Sequence, residues 1–308
     1  MASDLRLAGV FVPMVTPFAA DGSVDLGCLE ELTAGVIRDG ASGVVALATT
    51  GEPHMLDDAE RAAVVAAIAG VCASTDAMLV VGAGTNDTRT TIARHEALAD
   101  VPGACASLAV VPYYIRPGEQ AVVRHFQVVA ERSPVPLLVY NIPYRTGRGL
   151  GADALLALAA TDNIAGLKQA VGGIDADTLR VLAEAADRFA MLGGDDAFLF
   201  PLVLMGATGG IAASSHLCTR RFVDMIECGR GGAVSAGRRH AEALLPLVQA
   251  LFAEPSPAVI KAALHLEGRI PTPDVRMPMA PASPEAVERV RAALAAASAD
   301  EVPGTSRS

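Results

Sequence analysis

The sequence is poor in several features that would indicate a function directly. It has no tryptophan, 4% aromatic residues and five cysteines. No two cysteines are two or three positions apart, which excludes the usual zinc-knuckle and redox-pair spacings, and an odd number of thiols is typical of a reducing cytoplasm. The histidines form no HExxH pair, GAGTN (82–86) is not a GxGxxG fingerprint, and no P-loop is present. We therefore expect no metal and no cofactor.

Positive charge and long apolar runs are also scarce. The chain has 24 basic and 34 acidic residues, for a formal net charge of −10, and no basic stripe of the kind that nucleic-acid binders carry. No run of about 18 apolar residues could span a membrane, and the start, MASDLRLAGV, does not have the pattern of a secretory signal. With 52% hydrophobic residues, the composition predicts a cytoplasmic globular protein without nucleic-acid or membrane partners.

Eight short apolar runs recur along the chain, and each has the composition of a buried strand. Stretches rich in alanine and leucine lie between them and predict helices, of which one begins at Asp57-Asp58 and another is capped near Asn86-Asp87-Thr88. The runs are VFVPMVTPF (10–18), GVVALATT (43–50), AMLVVGAG (77–84), ASLAVVPYY (106–114), PLLVYNIP (136–143), NIAGLKQA (163–170), FAMLGGDD (189–196) and TGGIAASS (208–215).

This repetition predicts an α/β fold, the (β/α)8 TIM barrel, with a C-terminal helical appendage. Runs this apolar are typical of parallel strands covered by helices. A doubly wound sheet is the alternative, but the VTPFAADGS segment at the first strand is not the glycine-rich fingerprint of that fold. We expect one domain over 1–297, with about three C-terminal helices from about 216, and a disordered tail over 298–308.

Polar residues cluster at the ends of the predicted strands, where (β/α)8 barrels carry their active sites. All four tyrosines lie near the ends of strands four and five, which is typical of a site that uses phenols, although packing would give the same pattern. Asp195 and Asp196 are more typical of loop anchors than of a metal pair. The polar residues are Thr16, Thr49, Thr50, Glu52, Asn86, Tyr113, Tyr114, Tyr140, Asn141, Arg145, Lys168, Asp195 and Asp196.

Only two of the basic residues are lysines, and they differ in context. Lys168 stands inside an apolar strand, where desolvation would lower the pKa of the amine and make it a nucleophile that could form a Schiff base with a carbonyl substrate. Arginine could not replace it in that role. The alternative is a barrel lysine paired with an acid at the strand mouth. Lys261 lies on a helical pattern and is expected to be ion-paired or to extend its amine to water.

Several motifs, in order along the chain, resemble those of the dihydrodipicolinate synthase / N-acetylneuraminate lyase family, from about Val10 to about Pro284. The motifs are VTPF (15–18), TTGE (49–52), GAGTNDT (82–88), VPYYIRP (111–117), YNIPYRTG (140–147), GLKQA (166–170), GGDD (193–196), GGIAASSH (209–216) and EPSPAVIKAAL (254–264). Members of this family are Schiff-base (β/α)8 barrels that act on pyruvate or other 2-oxo acids.

The resemblance implies a role for seven residues. The catalytic residues are the Schiff-base Lys168, the phenol Tyr140, and Thr49 and Tyr114 as its proton-relay partners, with Tyr114 reaching in from a neighbouring subunit. Thr50 binds the carboxylate of pyruvate and the carbonyl of Ile211 faces it. Arg145 matches the guanidinium that holds the carboxylate of the second substrate.

The resemblance further implies condensation of pyruvate with a small aldehyde, aspartate-4-semialdehyde, towards lysine and diaminopimelate, by a homotetramer built as a dimer of dimers. Arg145 and the PYY motif favour this reaction. Gln169 is more typical of the sialic acid lyases, so an aldolase or dehydratase of a sugar-derived 2-oxo acid is the alternative. A non-catalytic binding barrel is a third possibility, against which the presence of Lys168, Tyr140 and Thr49 argues.

Overall fold

The computed structural model of the protein describes residues 7–299, and its centre is a closed barrel of eight parallel strands. This confirms the predicted (β/α)8 barrel. Each strand is shorter than the apolar run that predicted it, because the last residues of each run leave the barrel wall and form the loops at its mouth. The strands are β1 (Gly9–Pro13), β2 (Gly43–Ala46), β3 (Met78–Gly82), β4 (Ala104–Val110), β5 (Leu137–Asn141), β6 (Ile164–Gln169), β7 (Ala190–Gly193) and β8 (Gly209–Ile211).

At least one helix follows every strand, and the last four helices come after β8. The helices are α1 (Leu26–Arg38), α2 (Asp58–Cys72), α3 (Thr88–Glu96), α4 (Glu119–Arg132), α5 (Pro143–Thr146), α6 (Ala152–Ala159), α7 (Ala176–Ala185), α8 (Leu199–Leu204), α9 (Thr219–Arg230), α10 (Val234–Leu251), α11 (Ala258–Leu266) and α12 (Pro284–Ala299).

The predicted helix starts at α2 and α3 are confirmed by their caps. The Asp57 carboxylate accepts a hydrogen bond from the Glu60 amide, and the Glu60 carboxylate accepts one from the Asp57 amide, which is a capping box. Asp87 caps α3 by accepting from the amide of Thr90. Local side-chain chemistry therefore sets both boundaries.

The core has two layers, because alternate residues of each strand face opposite sides of the barrel wall. On β5, Leu137 and Val139 pack outward against the helices, whereas Leu138 and Tyr140 belong to the cluster that fills the barrel lumen. On β6, Leu167 packs outward, so the alternation directs its neighbour Lys168 inward. The pleat therefore places this amine among apolar lumen side chains.

The C-terminal part contains four helices, α9 to α12, where about three were expected, and no strand occurs between residues 216 and 299. The additional helix is α9, which packs against β1 and α8 and serves as the last helix of the barrel ring. Helix α12 reaches Ala299, so the first two residues of the predicted tail are helical and the remainder, 300–308, lies outside the described residues. Of the helices in this described part of the chain, none is long and apolar enough to cross a membrane.

Candidate active site

Lys168 and Tyr140 are neighbours in the barrel wall. Tyr140 on β5 pairs in register with Lys168 on β6, and the two residues are 6% and 5% exposed. The Nζ atom of Lys168 lies 4.3 Å from the centroid of the Tyr140 ring. Gly194 provides the space for the lysine stem, since a Cβ there would lie 2.9 Å from Lys168 Cε. The lumen thus holds a buried amine against a buried phenol.

The electrostatic environment of Lys168 favours the neutral amine. Burial lowers the pKa of Lys168 to about 8, and the positive charge of Arg145 lowers it further. The carboxylates of Asp196 and Asp195 oppose this shift, but burial has the larger effect. A usable fraction of this amine is therefore unprotonated near neutral pH, as nucleophilic catalysis by lysine requires.

Tyr140 is held in its protonated form and has Thr49 as a neighbour. Burial raises the pKa of the Tyr140 phenol well above its usual range, and the nearby Tyr144 raises it further. Arg145 and the side chain of Thr49, which lies within hydrogen-bonding reach of the phenol, act in the opposite direction. The Tyr140 phenol is therefore protonated near neutral pH, with the Thr49 hydroxyl beside it.

Thr49 and Thr50 form a short 3-10 helix, Thr49–Gly51, that follows β2. Thr50 is buried, and the Gly51 carbonyl accepts a hydrogen bond of 2.7 Å from Thr16 Oγ1. A Cβ on Gly51 would lie 2.9 Å from the carbonyl oxygen of Met14, so only glycine allows this close approach. The turn brings two hydroxyl groups and their backbone amides to the barrel mouth.

Asp195 and Asp196 anchor different loops, as the sequence predicts. Asp195 Oδ2 accepts from the Gly172 amide at 2.7 Å, and Asp196 Oδ2 accepts from the Ser214 amide at 2.6 Å. Asp196 is buried, and burial raises its pKa to about 6 although the Ser214 hydrogen bonds and the charge of Lys168 act against this. The sequence does not indicate the electrostatic interaction between Asp196 and Lys168, because the two residues are distant in the chain and only the fold brings the end of β7 beside β6.

Arg145 lies in α5, directly after β5, and is exposed. Its guanidinium carbon lies 5.7 Å from the centroid of the Tyr144 ring, and its charge acts on the pKa of Lys168. The structure therefore brings Arg145 to the same rim as the amine, where its guanidinium is open to a carboxylate.

The other two candidate residues are placed differently. Ile211 ends β8 and its side chain packs in the lumen cluster with Tyr140. The Tyr114 side chain is 88% exposed and its backbone φ is 71°, an uncommon conformation for a bulky residue. Within one chain, Tyr114 is thus presented to the outside and not buried beside Lys168.

Gln169 and Asn141 lie outside the lumen. Asn141 Nδ2 donates to Gln169 Oε1 at 2.9 Å, and Gln169 Nε2 donates to Thr178 Oγ1 at 2.9 Å. Gln169 therefore links β6 to α7, and Asn141 links β5 to Gln169, so neither amide faces the lumen that holds Lys168. Within residues 7–299, no three histidine, cysteine or acidic side chains are grouped as metal ligands would be.

Comparisons with known proteins agree with this geometry. A sequence profile of the dihydrodipicolinate synthetase family matches residues 6–297. The 4-hydroxy-tetrahydrodipicolinate synthase of Neisseria meningitidis serogroup B is 35% identical over 290 residues, covering 94% of this chain and 98% of that one. The synthase of the same name from Methanothrix thermoacetophila is 36% identical and covers 93% of this chain and 95% of its own.

Solved structures show the same similarity. One is the chloride-inhibited dihydrodipicolinate synthase from Acinetobacter baumannii complexed with pyruvate, with a TM-score of 0.91 and 31% identity over 95% of this chain and 99% of that one. Another is the dihydrodipicolinate synthase from Thermotoga maritima, with a TM-score of 0.90 and 31% identity over 94% of this chain and 98% of that one.

The environment of Lys168 predicts an amine that titrates near pH 8. With a pKa of about 8 it has, at pH 7, roughly 300-fold more neutral amine than an ordinary lysine with a pKa of 10.5. Acylation by trace acetic anhydride, followed peptide by peptide in mass spectrometry across a pH series, measures this titration. Asp196→Asn should lower the midpoint further, because it removes a negative charge that stabilises the ammonium. A midpoint above pH 10 would contradict the proposed environment.

Proposed function

The chain belongs to the dihydrodipicolinate synthetase family, and we propose that it condenses pyruvate with aspartate-4-semialdehyde to 4-hydroxy-tetrahydrodipicolinate in lysine and diaminopimelate biosynthesis. It is a Schiff-base lyase. The observation that carries the proposal is the buried amine of Lys168, with its pKa of about 8, against the ring of Tyr140 in the lumen.

Lys168 is the nucleophile in this proposal. Its neutral Nζ attacks C2 of pyruvate, the carbonyl oxygen leaves as water, and a C=N bond to the enzyme replaces the C=O bond. The protonated imine withdraws electrons from the adjacent methyl carbon, which loses a proton and attacks the aldehyde carbon of the second substrate, whose oxygen takes up a proton. The amino group of that substrate then attacks the imine carbon, closes the ring and releases the amine of Lys168. The imine itself is the electron sink, so this chemistry requires no metal or cofactor.

Tyr140 moves protons at the imine, with Thr49 as its immediate partner. The support for this is the contact of the Tyr140 ring with Lys168 Nζ and the reach of the Thr49 side chain to the phenol. Tyr114 completes the relay of a neighbouring subunit, which is consistent with its 88% exposure on its own chain. The relay carries protons between solvent and the reacting carbon and oxygen atoms.

Two further groups bind pyruvate, and one binds the aldehyde. Thr50 and its backbone amide hold the pyruvate carboxylate, and the carbonyl of Ile211 faces the bound molecule at the end of β8. Arg145 holds the carboxylate of aspartate-4-semialdehyde. The net charge of −10 disfavours anions at long range, so a local guanidinium is needed to bind one.

The assembly and location are part of the same proposal. The enzyme is a homotetramer, a dimer of dimers, in which each relay takes a tyrosine from a second subunit. It acts in the cytoplasm, where its five cysteines, none of them in a disulfide, remain reduced.

The proposed reaction is tested directly with two substrate sets. We expect pyruvate to be consumed in the presence of aspartate-4-semialdehyde and N-acetylneuraminate to be left intact, as followed by chromatography of both reactions. Lys168→Arg keeps the positive charge without a nucleophilic amine and should abolish turnover. Faster cleavage of N-acetylneuraminate would support the lyase alternative, and no turnover of either set would contradict the proposed activity.

Arg145→Ala tests the assignment of the second substrate. A hydrogen bond to a charged group contributes about 1.5–3 kcal/mol, so the KM for the aldehyde should rise roughly 10–100-fold while the pyruvate imine still forms. Steady-state kinetics and borohydride trapping on the same variant separate the two effects. Arg188→Ala is the matched control, because Arg188 is exposed and precedes β7 at the opposite rim of the barrel. Loss of the imine with an unchanged aldehyde KM would place Arg145 in the pyruvate site instead.

A further inference from the structure

We propose that Lys261, Glu52 and Arg276 form a clamp that positions the Thr49–Gly51 turn from behind, so that Lys261 and Glu52 are positioning residues for the reaction. This inference rests on the proposed function, in which Thr49 and Thr50 serve the pyruvate site. The clamp joins the C-terminal helices to the loop after β2 through groups that do not contact substrate.

Lys261 is at the centre of the clamp. Its side chain is 0% exposed in α11, and its Nζ donates to Glu52 Oε1 and to the carbonyl oxygen of Thr16, both at 2.9 Å. The same atom lies 4.0 Å from the centroid of the Phe18 ring. Burial lowers the pKa of Lys261, while Glu52 raises it. The ammonium of Lys261 is therefore held by two hydrogen-bond acceptors and one aromatic ring, as is typical of a structural cation.

Glu52 connects this cation to the turn. It follows Gly51 directly, its side chain is 0% exposed, and its backbone has a φ of 54°. Its second carboxylate oxygen accepts from the Arg276 amide at 2.9 Å, so both oxygens are used. A left-handed conformation at a non-glycine residue persists where its surroundings hold it, and here the two hydrogen bonds to the carboxylate do so.

The turn is fixed on both sides of Gly51. The Gly51 carbonyl is held by Thr16 Oγ1, and the Thr16 carbonyl is in turn held by Lys261. Thr16 and Glu52 are therefore both bound to one ammonium. The Thr49–Gly51 turn, which is hydrogen-bonded to Thr16 and directly precedes Glu52, has little freedom to move. A shift of about 1 Å in a group that positions substrate can cost 100-fold in rate.

Stability alone is a poor explanation for this pair. Buried ion pairs are frequently no more stabilising than apolar side chains of similar size, because both charges lose their hydration. The chain uses arginine at 22 of its 24 basic positions, yet Lys261 remains a lysine. A compact ammonium can donate to a carboxylate and a carbonyl in one small enclosed space, whereas a guanidinium is larger and holds its donors in a rigid planar fork.

The double variant Lys261→Met/Glu52→Leu distinguishes positioning from stability. It replaces both charges with apolar side chains and leaves no unpaired ion. We expect its unfolding temperature to stay close to that of the unchanged protein, while kcat/KM for pyruvate falls about 10–100-fold and imine still forms on Lys168. Arg238→Met/Glu242→Leu, which removes an exposed ion pair on α10, is the matched control. It should change neither the unfolding temperature nor kcat/KM for pyruvate.

The outcomes separate this inference from the proposed function. If the unchanged protein is active and the double variant has the same kcat/KM, the clamp is overturned and the proposed function is unaffected. An unchanged protein without turnover would contradict the function itself. If the double variant unfolds early, kcat/KM of both proteins is measured at a lower temperature, at which circular dichroism shows the double variant to be fully folded. The same loss of kcat/KM should appear there, and equal activity of the two folded proteins would also overturn the proposal.

Discussion

Lys168 places an amine in a barrel lumen lined by apolar side chains, and the desolvation of this amine is the constraint on which the site depends. Burial alone would remove most of the charge from an isolated lysine. Asp195 and Asp196 oppose that effect, whereas Arg145 adds to it, and the resulting pKa of about 8 keeps both forms accessible near neutral pH. A Schiff-base enzyme needs this balance, because the neutral amine must attack and the nitrogen must then carry positive charge.

The two lysines show how differently a barrel can use a buried amine. Lys261 forms a hydrogen-bonded ion pair with Glu52, and Lys168 instead lies against the face of the Tyr140 ring. Burial lowers the pKa of both, but within residues 7–299 a carboxylate is bound directly to Lys261 and none is bound directly to Lys168. The direct partner makes Lys261 a structural group, whereas the amine of Lys168 is available for reaction.

The barrel could be predicted because each buried strand has a local signal, an apolar run bounded by turn residues. The strand ends were harder to predict. Val45 and Thr49 are both β-branched, but Val45 lies in β2 whereas the chain turns into a 3-10 helix at Thr49. The position of Lys168 at the end of an apolar strand was enough to single it out. The electrostatic effect of Asp196 on Lys168 and the ion pair between Glu52 and Lys261 were not evident, because these residues are distant in sequence.

Borohydride reduction of the protein in the presence of pyruvate, followed by mass spectrometry of its peptides, identifies the nucleophile directly. We expect the reduced pyruvyl adduct on the peptide containing Lys168 and not on the peptide containing Lys261. Since these are the only two lysines in the chain, each serves as the control for the other. An adduct on Lys261, or on neither lysine, would contradict the central claim that the buried amine of β6 is the nucleophile.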